Sequence, residues 1–189
     1  MLVSLGEALI DRIHPPGGGA AVVHVGGSPF NVAIALARLG VRAGLICPLS
    51  RDVYGQMLLT ALESEGVRPL VKERAQAPTA TADVYADESG VPRYVFQREG
   101  TADRALDAHP PVSALPSNCE ALHFGSLTLA QARDWPAWRA AVAEARRRGA
   151  FIALDINVRP PLIDEMSSYL GRVEEAIELS SWVKASDED

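Results

Sequence analysis

Apolar residues recur along the first third of the chain with two different spacings. Continuous apolar runs predict buried β-strands, whereas apolar residues three and four positions apart predict amphipathic helices. Ser28 and Asp52 stand where two helices are expected to begin, and Gly40 and Gly66 stand where they are expected to end. The predicted order is strand, strand, helix, strand, helix over residues 2–10, 22–25, 28–40, 42–47 and 52–66.

A different pattern covers the segment from Pro78 to Arg98. Apolar and polar residues alternate there on both sides of a turn-rich interval at 87–92, which is typical of an antiparallel hairpin. Such a hairpin does not fit inside a sheet of parallel strands that is covered by helices on both faces. We therefore expect it to project from the main sheet and to cover a site as a lid.

The alternation of strands and helices returns after the hairpin, and it predicts an α/β fold. Strands that alternate with helices favour a parallel sheet joined by right-handed crossovers. The later strands are predicted at 121–125, 151–155 and 182–185, with helices at 134–148 and from Leu162 to Ile177.

The predicted architecture is a Rossmann-like parallel sheet with flanking helices and a small β lid. The body is assigned to the segments that carry the alternating strands and helices, and the lid to the segments between them. The body comprises residues 1–10, 26–77 and 104–189, and the lid comprises residues 11–25 and 78–103.

Composition and charge exclude several classes of protein. The net charge of −6 argues against nucleic-acid binding, which needs a basic face. No apolar run approaches the roughly 20 residues of a membrane span. The N-terminus carries Glu7 and no basic segment, unlike a secretory signal, so we expect a cytoplasmic protein. Cys47 and Cys119 lie in apolar stretches, as buried structural thiols do.

Two short segments have the chemistry of a ligand site. Gly26 and Gly27 precede a predicted helix, where backbone N–H groups can approach a ligand without a Cβ in the way. Asn31 adds a side chain that donates and accepts hydrogen bonds. Asp11 follows a predicted strand, and its carboxylate can accept hydrogen bonds from two neighbouring hydroxyls. A simple turn would explain the glycines and Asp11 equally well.

These segments resemble a known family. GGSPFNVAIALARLG is similar to the first signature of the phosphofructokinase-B, or ribokinase, family of carbohydrate kinases, and the likeness extends to GEALID, PLSRDVYGQMLLTALESEGV and LDINVRP. The resemblance is strongest to bacterial fructokinases. It implies a ribokinase-like fold and an ATP- and Mg²⁺-dependent transfer of phosphate to a sugar. It also implies that the sugar is held by Asp11, Gly26, Gly27 and Asn31.

Two arginines bear on the choice of substrate. YVFQREGTAD resembles the lid exit of fructokinases and of 2-keto-3-deoxygluconate kinases. In the latter, arginines at the places of Arg98 and Arg159 meet the substrate carboxylate, which suits their planar forks. Gln97, where those kinases often have an aromatic residue, favours fructose. Either arginine could instead join the lid to the body.

Later segments resemble the phosphate side of the family's site. Asp155-Ile156-Asn157 corresponds to Asp-Pro-Asn, in which the asparagine lies near the transferred phosphate, although Ile156 replaces the proline. KASDED is similar to the segment that contains Asn-x-x-Glu near magnesium. The resemblance places Ser186 beside phosphate, Asp189 beside the metal and Lys184 beside the nucleotide, although a terminal acidic run is also typical of a solvated surface.

Some expected motifs do not occur in the sequence. Lys72 and Lys184 are not preceded by the glycine-rich loop of P-loop kinases, and Gly17 to Gly19 do not match the dinucleotide fingerprint. The family's Gly-Ala-Gly-Asp segment, which carries the catalytic base, is also missing. We therefore expect the chain to correspond to the N-terminal half of the family and to be inactive alone.

The sequence thus predicts a sugar kinase in the intact protein. Fructose is the preferred acceptor, and a 2-keto-3-deoxygluconate kinase is the nearest alternative, followed by a purine-nucleoside or other sugar kinase. A non-catalytic sugar-binding module is an alternative of another class. A small sugar and ATP are the expected partners, neither nucleic acid nor a membrane is expected, and a homodimer is left open.

Overall fold

The computed structural model describes residues 1–86, 92–187 and 189. Strands and helices alternate through most of them, as the hydrophobic pattern predicts. The strands are β1 Leu2–Leu5, β2 Leu9–His14, β3 Val22–Gly26, β4 Ala43–Ile46, β5 Arg68–Pro69, β6 Thr81–Ala86, β7 Pro92–Gln97, β8 Ala121–Gly125, β9 Phe151–Asp155 and β10 Trp182–Lys184; the helices are α1 Ser28–Arg38, α2 Val53–Ser64, α3 Trp135–Arg147 and α4 Met166–Leu179.

Six of these strands form the main sheet, in the order β10-β9-β8-β1-β4-β5. Every pair of neighbours in it is parallel. The α/β prediction is therefore confirmed. Strand β5 was not predicted, because a strand of only two residues, Arg68 and Pro69, is too short to show a hydrophobic period.

The other four strands form a smaller sheet, here called the lid sheet, in the order β3-β2-β6-β7. Strands β6 and β7 pair antiparallel, which confirms the predicted hairpin. The predicted turn between them falls largely on residues 87–91, outside the described residues. Strand β2 pairs antiparallel with β3 and parallel with β6, so the hairpin is joined to the N-terminal part of the chain.

The opening segment 2–10 is predicted to be a buried strand followed by a glycine turn, and a second strand follows that turn in the structure. The segment forms two strands in different sheets, because the chain turns at Gly6, where φ is +140°. A Cβ at this position would lie 2.6 Å from Cγ of Pro29. The turn moves Leu9 and Ile10 into the lid sheet, two residues before the predicted lid boundary at Asp11.

The helix starts agree with the sequence in one case and differ in others. Asp52 caps α2 as predicted, since its Oδ1 accepts a hydrogen bond of 2.7 Å from the N–H of Gly55. Ser28 is the first residue of α1 and Gly27 occupies the cap position, while the carboxylate of Glu7 accepts a hydrogen bond of 3.2 Å from the free N–H of Ser28. The predicted helix from Leu162 begins only at Met166, with Glu165 as its cap.

Two apolar clusters lie against the main sheet. Neighbouring residues of β4 belong to different clusters, Leu45 to one and Ile46 to the other, because successive side chains of a strand point to opposite faces. One cluster holds Phe30 of α1 and Leu58 of α2, and the other holds Trp138 of α3. Within the described residues, no helix is long and apolar enough to cross a membrane.

Candidate functional site

A cleft of about 810 Å³ opens between the lid sheet and the main sheet. Its floor is formed where β1, β8 and β9 end, at Glu7, Ser126 and Asp155. Tyr94 and Phe96 of β7 face it from the lid sheet, with their ring centroids 6.0 Å apart. Ligands of open α/β sheets collect at the carboxyl ends of the strands, so the position of the cleft is that of a binding site.

The cleft brings together five of the residues that the sequence singled out. They come from β2, from the start of α1 and from the loop after β9, which are far apart in the sequence. The five residues are Asp11, Gly27, Asn31, Asn157 and Arg159.

Asp11 lies on the lid sheet, where His24 of β3 is its partner across the strands. Burial raises the pKa of Asp11, and the nearby His24 partly offsets this rise. No hydrogen bond joins the Asp11 side chain to another described residue. Its carboxylate therefore has free acceptor positions beside the cleft, as a ligand with hydroxyl groups requires.

Both glycines before α1 stand where a side chain would collide. A Cβ at Gly26 would overlap Oδ2 of Asp11. At Gly27 φ is +111°, and a Cβ would lie 2.7 Å from the carbonyl oxygen of Glu7. Asn31 follows on the first turn of α1 and donates its backbone N–H to the carbonyl of Gly27 at 2.9 Å. The absence of side chains at the two glycines therefore lets Asp11 and the start of α1 lie side by side at the cleft.

The floor of the cleft contains two residues with an unusual backbone. Ser126 has φ of 53° and Asn157 has φ of 45°, values that residues other than glycine seldom adopt. The backbones of β8 and β9 also approach closely where the two strands end, since a Cβ at Gly125 would overlap the carbonyl oxygen of Asp155. Backbone strain of this kind clusters at binding and catalytic sites.

Comparison with known proteins agrees with this geometry. A sequence profile of the pfkB family carbohydrate kinase matches residues 1–189. The chain belongs to this family. It is 34 % identical over 192 residues to a fructokinase of Rhizobium leguminosarum bv. trifolii and 29 % identical over 197 residues to probable fructokinase-5 of Arabidopsis thaliana. It covers 58 % and 60 % of these relatives, and they cover all of it.

Solved structures of pfkB kinases have the same fold. Fructokinase from Xylella fastidiosa superposes with a TM-score of 0.89 at 29 % identity, over 99 % of this chain and 62 % of that one. The same enzyme with bound ATP also gives a TM-score of 0.89, over 58 % of its length. The chain thus spans about 60 % of the proteins that it matches. The predicted ribokinase-like fold is confirmed.

Gly26 and Arg98 are the two predicted pfkB substrate residues that do not line the cleft. Gly26 lies directly beside Asp11, whereas Arg98 lies apart. Arg98 is only 5 % exposed. Its Nε donates to Oδ2 of Asp103 at 2.7 Å, and its Nη1 is 3.4 Å from the carbonyl oxygen of Leu127. Arg159, in contrast, lines the cleft and is exposed, and its Nη1 donates to the neighbouring carbonyl of Val158 at 2.8 Å.

The predicted phosphate residues of the pfkB site lie at the ends of β9 and β10. Nζ of Lys184 donates to Oδ1 of Asp155 at 2.9 Å. The N–H and Oγ of Ser186 donate to Oδ2 of Asp189, and Oδ1 of Asp189 accepts from the N–H of Val158 at 2.6 Å. Lys184, Ser186 and Asp189 therefore border the cleft through Asp155 and Val158 without lining it.

A preformed metal site is not present in the part of the chain that the structure describes. No group of three or more His, Cys, Asp or Glu side chains is close enough there to hold an ion. The carboxylate of Asp189 is already hydrogen-bonded by Ser186 and Val158. A magnesium ion at a pfkB site would need most of its ligands from nucleotide phosphates and water, as is usual for this ion.

The sequence did not identify Glu7 as a site residue. This carboxyl is 2 % exposed and lies on the floor of the cleft. Burial raises its pKa, and the nearby positive charge of Arg98 only partly opposes this rise. The signal in the sequence was a single acidic residue in an apolar run, which could equally mark the end of a strand.

Proposed function

We propose that the intact protein transfers the γ-phosphoryl group of ATP to a hydroxyl of a monosaccharide, with fructose as the acceptor. The observation that carries the proposal is that Asp11 and Asn31 line one cleft, next to Gly27, whose lack of a side chain lets the start of α1 lie close to Glu7. A carboxylate and an amide suit neighbouring sugar hydroxyls, because together they accept and donate hydrogen bonds. The fructokinase relatives, one of them solved with ATP, support the choice of both substrates.

The sugar would bind between α1 and the lid sheet. Asp11 accepts hydrogen bonds from two hydroxyls and Asn31 binds a third, while Gly26 leaves room for the Asp11 carboxylate and Gly27 leaves room for the ring. Tyr94 and Phe96 cover the sugar from the lid side and exclude water. Positioning and charge stabilisation then supply most of the catalysis, as in other phosphoryl transfers.

The nucleotide phosphates would lie beside the ends of β9 and β10. We assign Asn157, Lys184 and Ser186 to this side, since each follows or ends one of these two neighbouring strands. Mg²⁺ would neutralise phosphate charge there, with Asp189 as the ligand that this chain offers. The base that deprotonates the sugar hydroxyl is expected in the part of the family sequence that this chain does not match.

The charges around the cleft favour a neutral sugar over a sugar acid. Asp11 and Asp155 line the cleft, whereas Arg98 is paired with Asp103 outside it. Arg159 is the one arginine among the described residues that line the cleft. A substrate carboxylate would therefore meet the like charge of Asp11, since the charge of Asp155 is paired with Lys184, and only one arginine would be at hand to bind it.

A panel of substrates tests the proposal on the intact protein. We expect ATP-dependent phosphorylation of fructose, and little of 2-keto-3-deoxygluconate, ribose or a purine nucleoside. Phosphorylation of the keto-acid with no reaction of fructose would reverse the assignment. Sugar binding without any phosphorylation would favour a non-catalytic module.

Two arginine variants sharpen the choice of substrate. Arg159→Ala should change kcat/KM for fructose by about twofold or less, because exposed polar contacts contribute little. If a carboxylate is bound instead, the loss of a charge-assisted contact should lower kcat/KM by roughly 10- to 150-fold. Arg133→Ala is the matched control, since Arg133 is equally exposed and does not line the cleft.

The remaining assignments concern the setting of the enzyme. We propose a cytoplasmic protein whose partners are a small sugar and ATP, with neither nucleic acid nor a membrane involved. The net charge of −6 supports the absence of nucleic acid among the partners. A homodimer is a further proposal, and the size of the intact protein in solution tests it.

A further inference from the structure

Glu7 stands where three elements of the cleft meet. It lies between β1 and β2, two residues before the strand that carries Asp11. Its Oε1 accepts a hydrogen bond of 3.2 Å from the N–H of Ser28, the first residue of α1. Its other oxygen, Oε2, is buried and has no partner among the described residues. Glu7 thus binds the start of the helix that carries Asn31.

Arg98 supplies a buried positive charge opposite in sign to Glu7. It directly follows β7, the strand that carries Tyr94 and Phe96 into the cleft. Its Nη2 is likewise buried without a partner among the described residues. Nη1 of Arg98 lies 3.4 Å from the carbonyl oxygen of Leu127, which lines the same cleft as Glu7. The positive charge of Arg98 opposes the rise in the pKa of Glu7, although no ion pair within 4.0 Å joins the two in the described part of the chain. Two opposite charges attract each other even beyond 4.0 Å when both are buried, because the protein interior has a low dielectric constant.

We propose that Glu7 is a positioning residue that couples the start of α1 to the exit of the lid sheet through Arg98, and so sets the geometry of the sugar site. This inference rests on the proposed function. Because Oε2 of Glu7 is buried, a sugar hydroxyl does not reach it in this conformation. Glu7 acts through its neighbours. Its bond to Ser28 positions the first turn of α1, which carries Asn31, and its attraction for Arg98 positions the end of β7, which carries Phe96.

Asp103 is the third member of this charged cluster. It pairs with Nε of Arg98 at 2.7 Å and accepts a hydrogen bond of 2.6 Å from Oγ1 of Thr101. Asp103 therefore binds the guanidinium of Arg98 at Nε. The Nη2 atom, which has no partner among the described residues, is available for Glu7. Loss of Glu7 should leave Arg98 in the fold but less firmly oriented toward the floor of the cleft.

The test uses kinetics of the intact protein with Glu7→Gln, Arg98→Met and the double variant. Glutamine keeps the shape and an acceptor for Ser28 but removes the charge. Each single variant should raise KM for fructose about 5- to 30-fold, which lies within the range of coupling between residues of one charged network, with KM for ATP within about twofold. The double variant should resemble the worse single variant, because both remove one interaction.

A matched control separates this effect from general destabilisation. Arg104→Met removes a comparable buried pair, since Nε of Arg104 lies 2.6 Å from Oδ2 of Asp134 and neither residue lines the cleft. This variant should lower Tm without changing KM for fructose. If Glu7→Gln does not fold, Arg98→Met carries the test. This variant also breaks the buried pair with Asp103, so its effects on Tm and on KM for fructose are compared with those of Arg104→Met, which breaks a similar pair.

Several outcomes would overturn the inference. Glu7→Gln that lowers only Tm would make Glu7 purely structural. Equal rises of KM for fructose and ATP, or single effects that multiply in the double variant, would show that the two residues do not act together on the sugar site. If the wild type phosphorylates another sugar, the fructose assignment fails while the inference is tested with that sugar. A wild type that binds no sugar, as measured by calorimetry, overturns both.

Discussion

The carboxylate of Asp11 fills the space beside Gly26, so that a Cβ at position 26 would overlap its Oδ2. The two residues lie on neighbouring strands of the lid sheet, where Gly26 pairs with Leu9 and Asp11 pairs with His24. The glycine therefore does more than allow a turn before α1. It lets a partly buried carboxylate stand next to the first residues of a helix, where a ligand in the cleft, such as the proposed sugar, would reach both.

This relationship predicts the effect of adding a methyl group. Gly26→Ala should displace the Asp11 carboxylate and weaken fructose binding by about 1–3 kcal/mol, the value of a buried hydrogen bond. Gly27→Ala should lower the free energy of unfolding as well, by about 1–3 kcal/mol, because φ at Gly27 is +111°. Calorimetric titration with fructose and thermal unfolding measure the two effects.

Gly171→Ala is the control for these substitutions. Gly171 lies within α4, its φ is not in the left-handed region, and a Cβ there would meet no atom within 4 Å. Alanine should raise the stability by about 0.5–1 kcal/mol and leave fructose binding unchanged. Unchanged fructose binding in Gly26→Ala would contradict the role given to Asp11.

A second prediction concerns the charge of Asp11. Asp11→Asn should lower kcat/KM for fructose by roughly 10- to 150-fold, since hydrogen bonds to a charged group are worth about 1.5–3 kcal/mol. KM for ATP should hardly change. Asp83→Asn is the control: Asp83 lies on the opposite face of the lid sheet, where it binds Arg12 and His14. Equal losses for sugar and nucleotide would contradict the assignment.

A third prediction follows from the raised pKa of Asp11. Burial disfavours the charged form, so the carboxyl takes up a proton at a higher pH than an ordinary aspartate, whose pKa is about 3.9. Fructose binding needs the ionised form and should be lost as the pH falls through this raised pKa. The Asp11→Asn variant should lack this acidic limb of the pH profile. An identical acidic limb in both proteins would assign it to another group.

The fourth prediction is that the 189-residue chain alone has no measurable sugar kinase activity. It has no segment that resembles the family's catalytic aspartate and anion hole. Loss of a general base typically costs about 10²–10⁴ in rate, and loss of anion stabilisation about 10²–10³ more. An ATP-coupled assay on the purified chain measures this. Turnover of fructose would reveal a base within these residues.

The fifth prediction concerns the β10 edge of the main sheet. Trp182 and Val183 are 55 % and 37 % exposed there, and β10 has a neighbour on one side only among the described strands. An apolar edge strand invites pairing with another chain, so the isolated chain should self-associate. Size-exclusion chromatography with light scattering measures this, and Val183→Lys should reduce it. A monomer at all concentrations would contradict the prediction.

The sequence by itself determined the fold class and most of the elements. Buried strands of a parallel sheet are continuous apolar runs, and the lid hairpin alternates, so the two patterns differ before any contact is known. It also determined the chemistry available at Asp11, Asn31 and the two glycines, because the types of side chain and their order suffice for that.

Only the tertiary structure decided how these residues act together. The split of the opening segment at Gly6 depends on its contact with Pro29, and the binding of the Ser28 N–H depends on the carboxylate of Glu7. Arg98 is buried against Asp103 and does not line the cleft, although its position in the sequence suggested direct contact with the ligand. These outcomes depend on contacts between distant segments, and local patterns of hydrophobic and polar residues carry no information about which segments will meet.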